Sequence, residues 1–225
     1  MRQHSGIIPI TRHNNNMKLS ANTLRFGNPD WMRKCAPTLE AWCQRHGYPL
    51  RVWGDEFPQY PCPKFGEIEM LREFLQGDSD MFLYVDADVI VHKDAPELDI
   101  VATGFHAATD DWHSTHTEQW RVWCDETYTN RLQNGAIYHN AGVWACDREA
   151  AQRFLAQAQP PFIERLMEEF QWNWWLVNAV REGMEFHTLP DKWNHSNKSE
   201  VRTFPVWFLH VWGSEKHDEI NELLP

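Results

Sequence analysis

Positive charge is scarce in this sequence. Lys and Arg together number 21 against 32 Asp and Glu, a formal net charge of −11. That balance disfavours a broad phosphate-binding surface for DNA or RNA, while leaving room for a small cationic pocket. There is no Cys-x-x-Cys pair. Cys35, Cys43, Cys62, Cys124 and Cys146 are odd in number and scattered. They read as free thiols in a reducing compartment, and argue against a disulfide framework or a zinc site. No long apolar segment follows Met1-Arg2-Gln3-His4-Ser5-Gly6, so we expect no signal peptide, no membrane segment and a cytoplasmic location. In that compartment the glycosylation-type triplets starting at Asn194 and Asn197 would go unused. What is present in excess is tryptophan, 13 residues in 225. These either pack the core or offer ring faces to sugars and bases.

The most informative stretch is Met81-Phe82-Leu83-Tyr84-Val85-Asp86-Ala87-Asp88-Val89-Ile90-Val91-His92. Its apolar run does not alternate, which predicts a strand buried on both faces, as in a parallel sheet covered by helices. Such a strand carries Asp86 and Asp88 to its C-terminal end, where open α/β sheets bind ligands. Two carboxylates so close to an apolar strand repel each other and lose solvation unless a cation sits between them. Oxygen ligands of this kind suit Mg²⁺ or Mn²⁺, with substrate phosphates completing the shell.

The rest of the chain alternates in kind. Ile7–Thr11 reads as a first strand, followed by a polar loop, Arg12–Asn16, that either faces a nucleotide or is simply solvated. Trp31, Cys35, Leu39, Trp42 and Cys43 recur at helical spacing up to a Gly47 stop, with a kink or restart expected at Pro37. Residues 48–53 read as a strand, 57–63 as a Pro-rich loop and 65–75 as a helix whose apolar face is Ile68, Leu71, Phe74 and Leu75. Phe105–Thr109 reads as a strand ending in Asp110 and Asp111. Residues 112–134 have weak periodicity and form an insertion, on the acceptor side or as a surface flap. His106, His113 and His116 read as solvated, not as a metal cluster. Helices are expected over 148–157 and 162–182. The sum is an α/β chain, 1–225, in a single domain.

Several motifs in order give this chain a resemblance to a known group. Gln44-Arg45-His46-Gly47-Tyr48, a helix, then Leu83-Tyr84-Val85-Asp86-Ala87-Asp88, resembles the nucleotide-sugar half of GT-A fold glycosyltransferases. The similarity is to the retaining families typified by glycogenin, bacterial lipopolysaccharide galactosyltransferases, and yeast and plant galactosyl/xylosyltransferases. Asn140-Ala141-Gly142-Val143 is similar to their Asn-[Ala/Ser]-Gly-Val, Leu189-Pro190-Asp191-Lys192-Trp193-Asn194 to their Leu-Pro-x-x-[Tyr/Trp]-Asn, and His210-Val211-Trp212-Gly213-Ser214-Glu215-Lys216 to their His-x-x-Gly-x-x-Lys. The likeness spans roughly residues 40–217. Two departures stand out. Asn173 and Trp174 replace the Asp-Gln of the family's Asp-Gln-x-x-x-Asn, and Glu67 sits near the place of a donor-binding Lys or Arg, for which Lys64 or Arg72 would substitute.

The resemblance implies a GT-A fold with a mostly parallel central sheet flanked by helices, and a segment, 204–225, closing over the donor. It implies Mn²⁺ (or Mg²⁺) held by Asp86, Asp88 and His210. The donor diphosphate would lie against Asp86, Asp88, Gly142, Gly213 and Lys216, and the donor sugar against Asn140 and Asn173. The expected activity is metal-dependent transfer of a sugar from a nucleotide diphosphate sugar, UDP-sugar by family likeness, to an unidentified acceptor with retention. Three other readings stand beside it. A sugar-phosphate nucleotidyltransferase on the same fold would carry a Gly-rich signature after the first strand, and residues 7–20 hold no glycine. A non-catalytic carbohydrate-binding protein would use its tryptophans but has no need of both aspartates, His210 and Lys216. A glycosyltransferase acting on nucleic-acid bases is disfavoured by the acidic balance.

Overall fold

The computed structural model describes residues 17–27, 29–54, 56–57, 59–109, 139–160, 168–197, 205–211, 218, 220 and 223–224. The expected strand at 7–11 and its loop, the insertion at 112–134, residues 162–167 of the expected long helix, and much of 204–225 with Gly213 and Lys216 lie outside the described residues.

The described residues alternate as expected, and the first element among them is a strand the pattern did not reveal, β1 (Leu19–Leu24). Its sequence, LSANTL, mixes polar with apolar residues although nearly all of it is buried. Next come α1 (Asp30–His46), β2 (Leu50–Trp53), a 3₁₀ turn (Pro63–Gly66), α2 (Glu67–Phe74), β3 (Met81–Val85), β4 (Val89–Val91) and β5 (Phe105–Thr109). After these follow β6 (His139–Asp147), α3 (Arg148–Gln157), α4 (Glu168–Arg181), β7 (Phe186–Leu189), a 3₁₀ turn (Asp191–Trp193), β8 (His195–Ser196) and β9 (Phe208–His210). α1 buries Met32, Cys35, Leu39, Trp42 and Cys43 and ends on Gly47 in the left-handed region at φ 70°, which costs glycine nothing. It runs unbroken through Pro37. That residue is exposed, so its ring lies on the solvent side of the helix and not in the packed face.

The central sheet has the order β2-β1-β3-β6-β5-β7. Every strand runs the same way except β6, which is antiparallel to both neighbours. β3 is buried at all five positions and serves both faces of the sheet. Phe82 and Tyr84 join Trp144, Phe105, Phe154, Trp172 and residues of α2 in one core cluster. Met81, Leu83 and Val85 join Trp42, Trp193 and Phe208 in the other. Trp144 stacks on Phe105 at 5.2 Å between centroids and on Tyr84 at 5.5 Å. Trp42, Trp53, Trp144, Trp172, Trp175 and Trp193 are all buried, so core packing accounts for them. His106, expected in solvent, is buried on β5, with Nε2 2.9 Å from the Thr103 carbonyl and its ring stacked on His187. The four described cysteines, Cys35, Cys43, Cys62 and Cys146, are free and buried.

A second sheet, β4-β9-β8, matters most for the site. β4 follows β3 after a short turn and pairs antiparallel with β9, placing Val89 opposite His210. The C-terminal part of the chain is thereby tied to the Asp-x-Asp turn.

Candidate metal centre

Asp86 is the first residue past β3, and its N–H donates to the Gly142 carbonyl at 2.7 Å, extending the β3–β6 ladder by one step. The chain then turns, with Val89 N–H to Asp86 O at 3.2 Å, and the Asp88 carbonyl accepts from Val211 N–H at 3.1 Å. These backbone bonds bring Asp86, Asp88 and His210 together. Their ligand atoms lie within 4.8 Å of one another. His210 Nε2 is 3.2 Å from Asp88 Oδ1 and 3.7 Å from Asp86 Oδ2.

The orientation of His210 follows from hydrogen-bond logic. Gly142 N–H donates to Asn140 Oδ1 at 2.7 Å, and a backbone N–H can face only an acceptor, so this atom is the amide oxygen. Asn194 Nδ2 donates to the same oxygen at 3.0 Å, and His210 Nδ1 lies 3.0 Å from it. His210 Nδ1 must therefore carry a hydrogen, and Nε2 is the nitrogen presented to the aspartates. Ligating histidines are commonly held this way, through the nitrogen that does not bind the metal. Gly142 makes the arrangement possible. A Cβ there would sit inside the His210 ring's van der Waals surface and 2.8 Å from Asn140 Oδ1. Burial alone would depress the His210 pKa, but Asp88 and then Asp86 outweigh it and raise the value above the usual histidine range. The same pair of carboxylates that favours a proton on this nitrogen would favour a divalent cation there. Two carboxylates and an imidazole with a preset tautomer could hold such a cation.

Beneath the triad lies a buried charged cluster that the sequence only hinted at. Lys64, in the 3₁₀ turn before α2, donates to Asp86 Oδ2 at 3.1 Å. Burial pulls its pKa down, yet Asp86, Glu67 and Glu169 more than compensate and raise it. Arg72, the other candidate for the missing base, is turned away and bonds Glu69. Tyr84 Oη donates to Asp86 Oδ1 at 2.7 Å. Glu67, at the start of α2, is 3 % exposed.

The two asparagines expected at the donor sugar are engaged with the protein. Asn140 Oδ1 is occupied by the three donors just described. Asn173 is 1 % exposed; its Oδ1 accepts from His139 N–H at 2.9 Å, and its Nδ2 donates to the His139 and Glu169 carbonyls. One turn earlier on α4, Glu169 Oε1 accepts from Ala141 N–H at 3.0 Å. Four helical residues rise about 6 Å and two strand residues about 6.6 Å, so Asn173 and Glu169 together clamp residues 139 and 141 of β6. Glu169 is only partly buried, and it is the carboxylate that the sequence reading missed. Its signal was the helical spacing to Asn173. Asn194, the last residue of the Leu-Pro-x-x-Trp-Asn segment, enters the site through Asn140.

No protein-family model matches the sequence, and no curated protein matches it. Among solved structures, one match is a glycosyltransferase involved in the glycosylation of the major capsid of PBCV-1. It aligns with a TM-score of 0.59 over 91 % of this chain and 98 % of its own, at 15 % sequence identity. The fold is one that glycosyltransferases use. It is the mostly parallel, helix-flanked α/β sheet that the motifs led us to expect, and the carboxylate–histidine group sits at its C-terminal strand ends.

Proposed function

We propose that this chain is a metal-dependent glycosyltransferase that transfers a sugar from a nucleotide diphosphate sugar, most simply a UDP-sugar, to an acceptor with retention. One observation carries the reading. Asp86, Asp88 and the sequence-distant His210 converge on one point at the end of a central strand of a fold that a glycosyltransferase shares.

Breaking the sugar C1–O bond loads negative charge onto the departing diphosphate. A bound divalent cation would supply Lewis-acid stabilisation of that charge. The chain's residues do the rest. Asp86 and Asp88 provide oxygen ligands and His210 a nitrogen, which favours Mn²⁺ over Mg²⁺. Lys64 places a fixed positive charge at the edge of the site. Lys216, by its motif, would contact a phosphate as a point charge. Asn140 and Asn194 hold His210, and Asn173 holds β6. Glu169 keeps one carboxylate oxygen on Ala141 N–H and has the other for the positive charge that develops at the anomeric carbon. The described tryptophans are buried or half-buried, which gives no support to a binding module or a base-modifying enzyme built on those rings; Trp112, Trp120, Trp123 and Trp212 lie outside the described residues.

Calorimetric titration with UDP and Mn²⁺ tests the reading. Asp86→Asn and Asp88→Asn should each abolish metal-dependent UDP binding while leaving the folded state intact. Unchanged UDP affinity in both variants would remove the metal site from the account.

A further inference from the structure

We propose that Asn173 is a positioning residue: its side-chain amide stands in for a strand partner at an irregularity of β6 and so holds Asn140, and through it His210, in the geometry a metal ligand needs. The inference rests on the metal-site reading above.

The irregularity follows from the pairing register. Ala107 of β5 faces Trp144, while Thr109 faces His139, so five steps along β6 answer two along β5. Residues extra to a ladder in this way lose their strand partner. On the other side, the ladder to β3 runs to Val143 opposite Val85, with one further bond from Asp86 N–H to the Gly142 carbonyl. His139, Asn140 and Ala141 lie past that point and are buried, and buried backbone groups need partners.

α4 supplies them. Asn173 Oδ1 accepts from His139 N–H at 2.9 Å, and Asn173 Nδ2 donates to the His139 carbonyl at 2.9 Å. This is the double exchange that opposite residues make in an antiparallel pair, made here by a side chain. The second Nδ2 hydrogen goes to the Glu169 carbonyl of the same helix at 3.0 Å, which fixes the rotation of the amide. Glu169 Oε1 holds Ala141 N–H at 3.0 Å. Asn140 is thus pinned through both of its chain neighbours, and its Oδ1 is presented to Gly142 N–H, Asn194 Nδ2 and His210 Nδ1.

The role calls for an amide and not an acid. Both Nδ2 hydrogens are spent on carbonyl oxygens, and an aspartate of the same shape has none to give. At 1 % exposure it would bury a charge against two carbonyl oxygens, which is costly. The asparagine that the motif comparison made a departure is therefore what the β6 geometry requires.

The test uses the full chain and Mn²⁺ alone as the probe, with Asn173→Asp, Asn173→Ala, Asn140→Ala and the double variant Asn140→Ala/Asn173→Asp. Ala179→Gly, at a buried position further along α4, controls for lost stability. Asn173→Asp and Asn173→Ala should each weaken Mn²⁺ binding about tenfold or more, the scale for groups that orient a ligand, and change the Mn²⁺ paramagnetic resonance spectrum. Ala179→Gly should lower the denaturation midpoint and leave both readings at wild-type values. Because Asn173 acts through Asn140, the double variant should bind about as weakly as Asn140→Ala alone. Wild-type affinity in Asn173→Asp or Asn173→Ala would overturn the proposal, as would an equal loss in Ala179→Gly or a full additional loss in the double variant. If Asn173→Asp does not fold, Asn173→Ala, which buries no charge, decides by the same criteria. Absence of Mn²⁺ binding by wild type would instead strike the metal-site reading, which separates the two failures.

Discussion

Gly142→Ala places the smallest possible perturbation against the proposed metal ligand. Gly142 adopts no unusual backbone conformation, since it is not among the positive-φ glycines. The cost of a methyl group is therefore steric. The new Cβ would overlap the His210 ring at Cε1 and Nδ1 and press on Asn140 Oδ1 at 2.8 Å. The backbone beneath it is pinned by the β3–β6 ladder, with Asp86 N–H on the Gly142 carbonyl at 2.7 Å. The ring must therefore yield, and its bond to Asn140 and its approach to Asp88 go with it. Overpacking of this kind costs about 1–3 kcal/mol. If that falls on the metal-competent position of the ring, Mn²⁺ affinity drops roughly fivefold to a hundredfold or more. Calorimetry of wild type, Gly142→Ala, His210→Ala and the double variant measures it. Because both changes act through one side chain, the double variant should bind about as weakly as His210→Ala alone. Wild-type Mn²⁺ affinity in Gly142→Ala, or a full additional loss on top of His210→Ala, would refute the reasoning.

Other expectations follow from the same contacts. Mn²⁺ must displace a proton from His210, whose pKa the two aspartates raise, so affinity should climb with pH until that pKa is passed and then level off. An affinity that stays flat while NMR shows the imidazole titrating would contradict this. Burial pushes the pKa values of His106 and His139 down to about 4. Both stay neutral in the fold while the unfolded chain takes up protons below about 6.5. Stability should therefore fall as pH drops from that value toward 4, by up to roughly 3 kcal/mol per residue. Denaturation midpoints against pH, with imidazole titration by NMR, check it, and ordinary pKa values for both would contradict it. Glu169→Gln can still accept from Ala141 N–H but carries no charge. It should lower kcat by about a hundredfold, the scale of a lost electrostatic contact, with donor affinity nearly unchanged. Unaltered kcat would remove Glu169 from the chemistry.

What the sequence revealed, and what it did not, has a physical basis in each case. β3 was legible because a strand buried on both faces leaves an uninterrupted apolar run, and the aspartates at its end stand out against it. α1 was legible from its apolar spacing and its Gly47 stop. β1 was missed because Ser20, Asn22 and Thr23 interrupt its apolar pattern. Asn22 is accommodated inside by accepting from Trp53 Nε1 at 3.1 Å, a partner distant in sequence. The meeting of Asp86, Asp88 and His210 could be proposed only through a motif resemblance, because the β4–β9 pairing that creates it joins segments far apart in the chain. Glu67 looked like a loss, a missing base on the helix before the aspartates. Its near-complete burial depends on tertiary packing that no linear pattern records. Asn140 and Asn173 were singled out from their motif positions as contacts of the donor sugar, yet the partners seen are protein atoms that only three-dimensional contacts could identify.

The central claim is that the group at the end of β3 is the donor site of a glycosyltransferase. The most direct measurement incubates the protein with a panel of nucleotide sugars and Mn²⁺, without acceptor, and follows release of the nucleoside diphosphate. The account predicts release from at least one UDP-sugar, abolished by a chelator and by Asp88→Asn. Binding of Mn²⁺ with no nucleotide sugar bound or cleaved anywhere in the panel would contradict it.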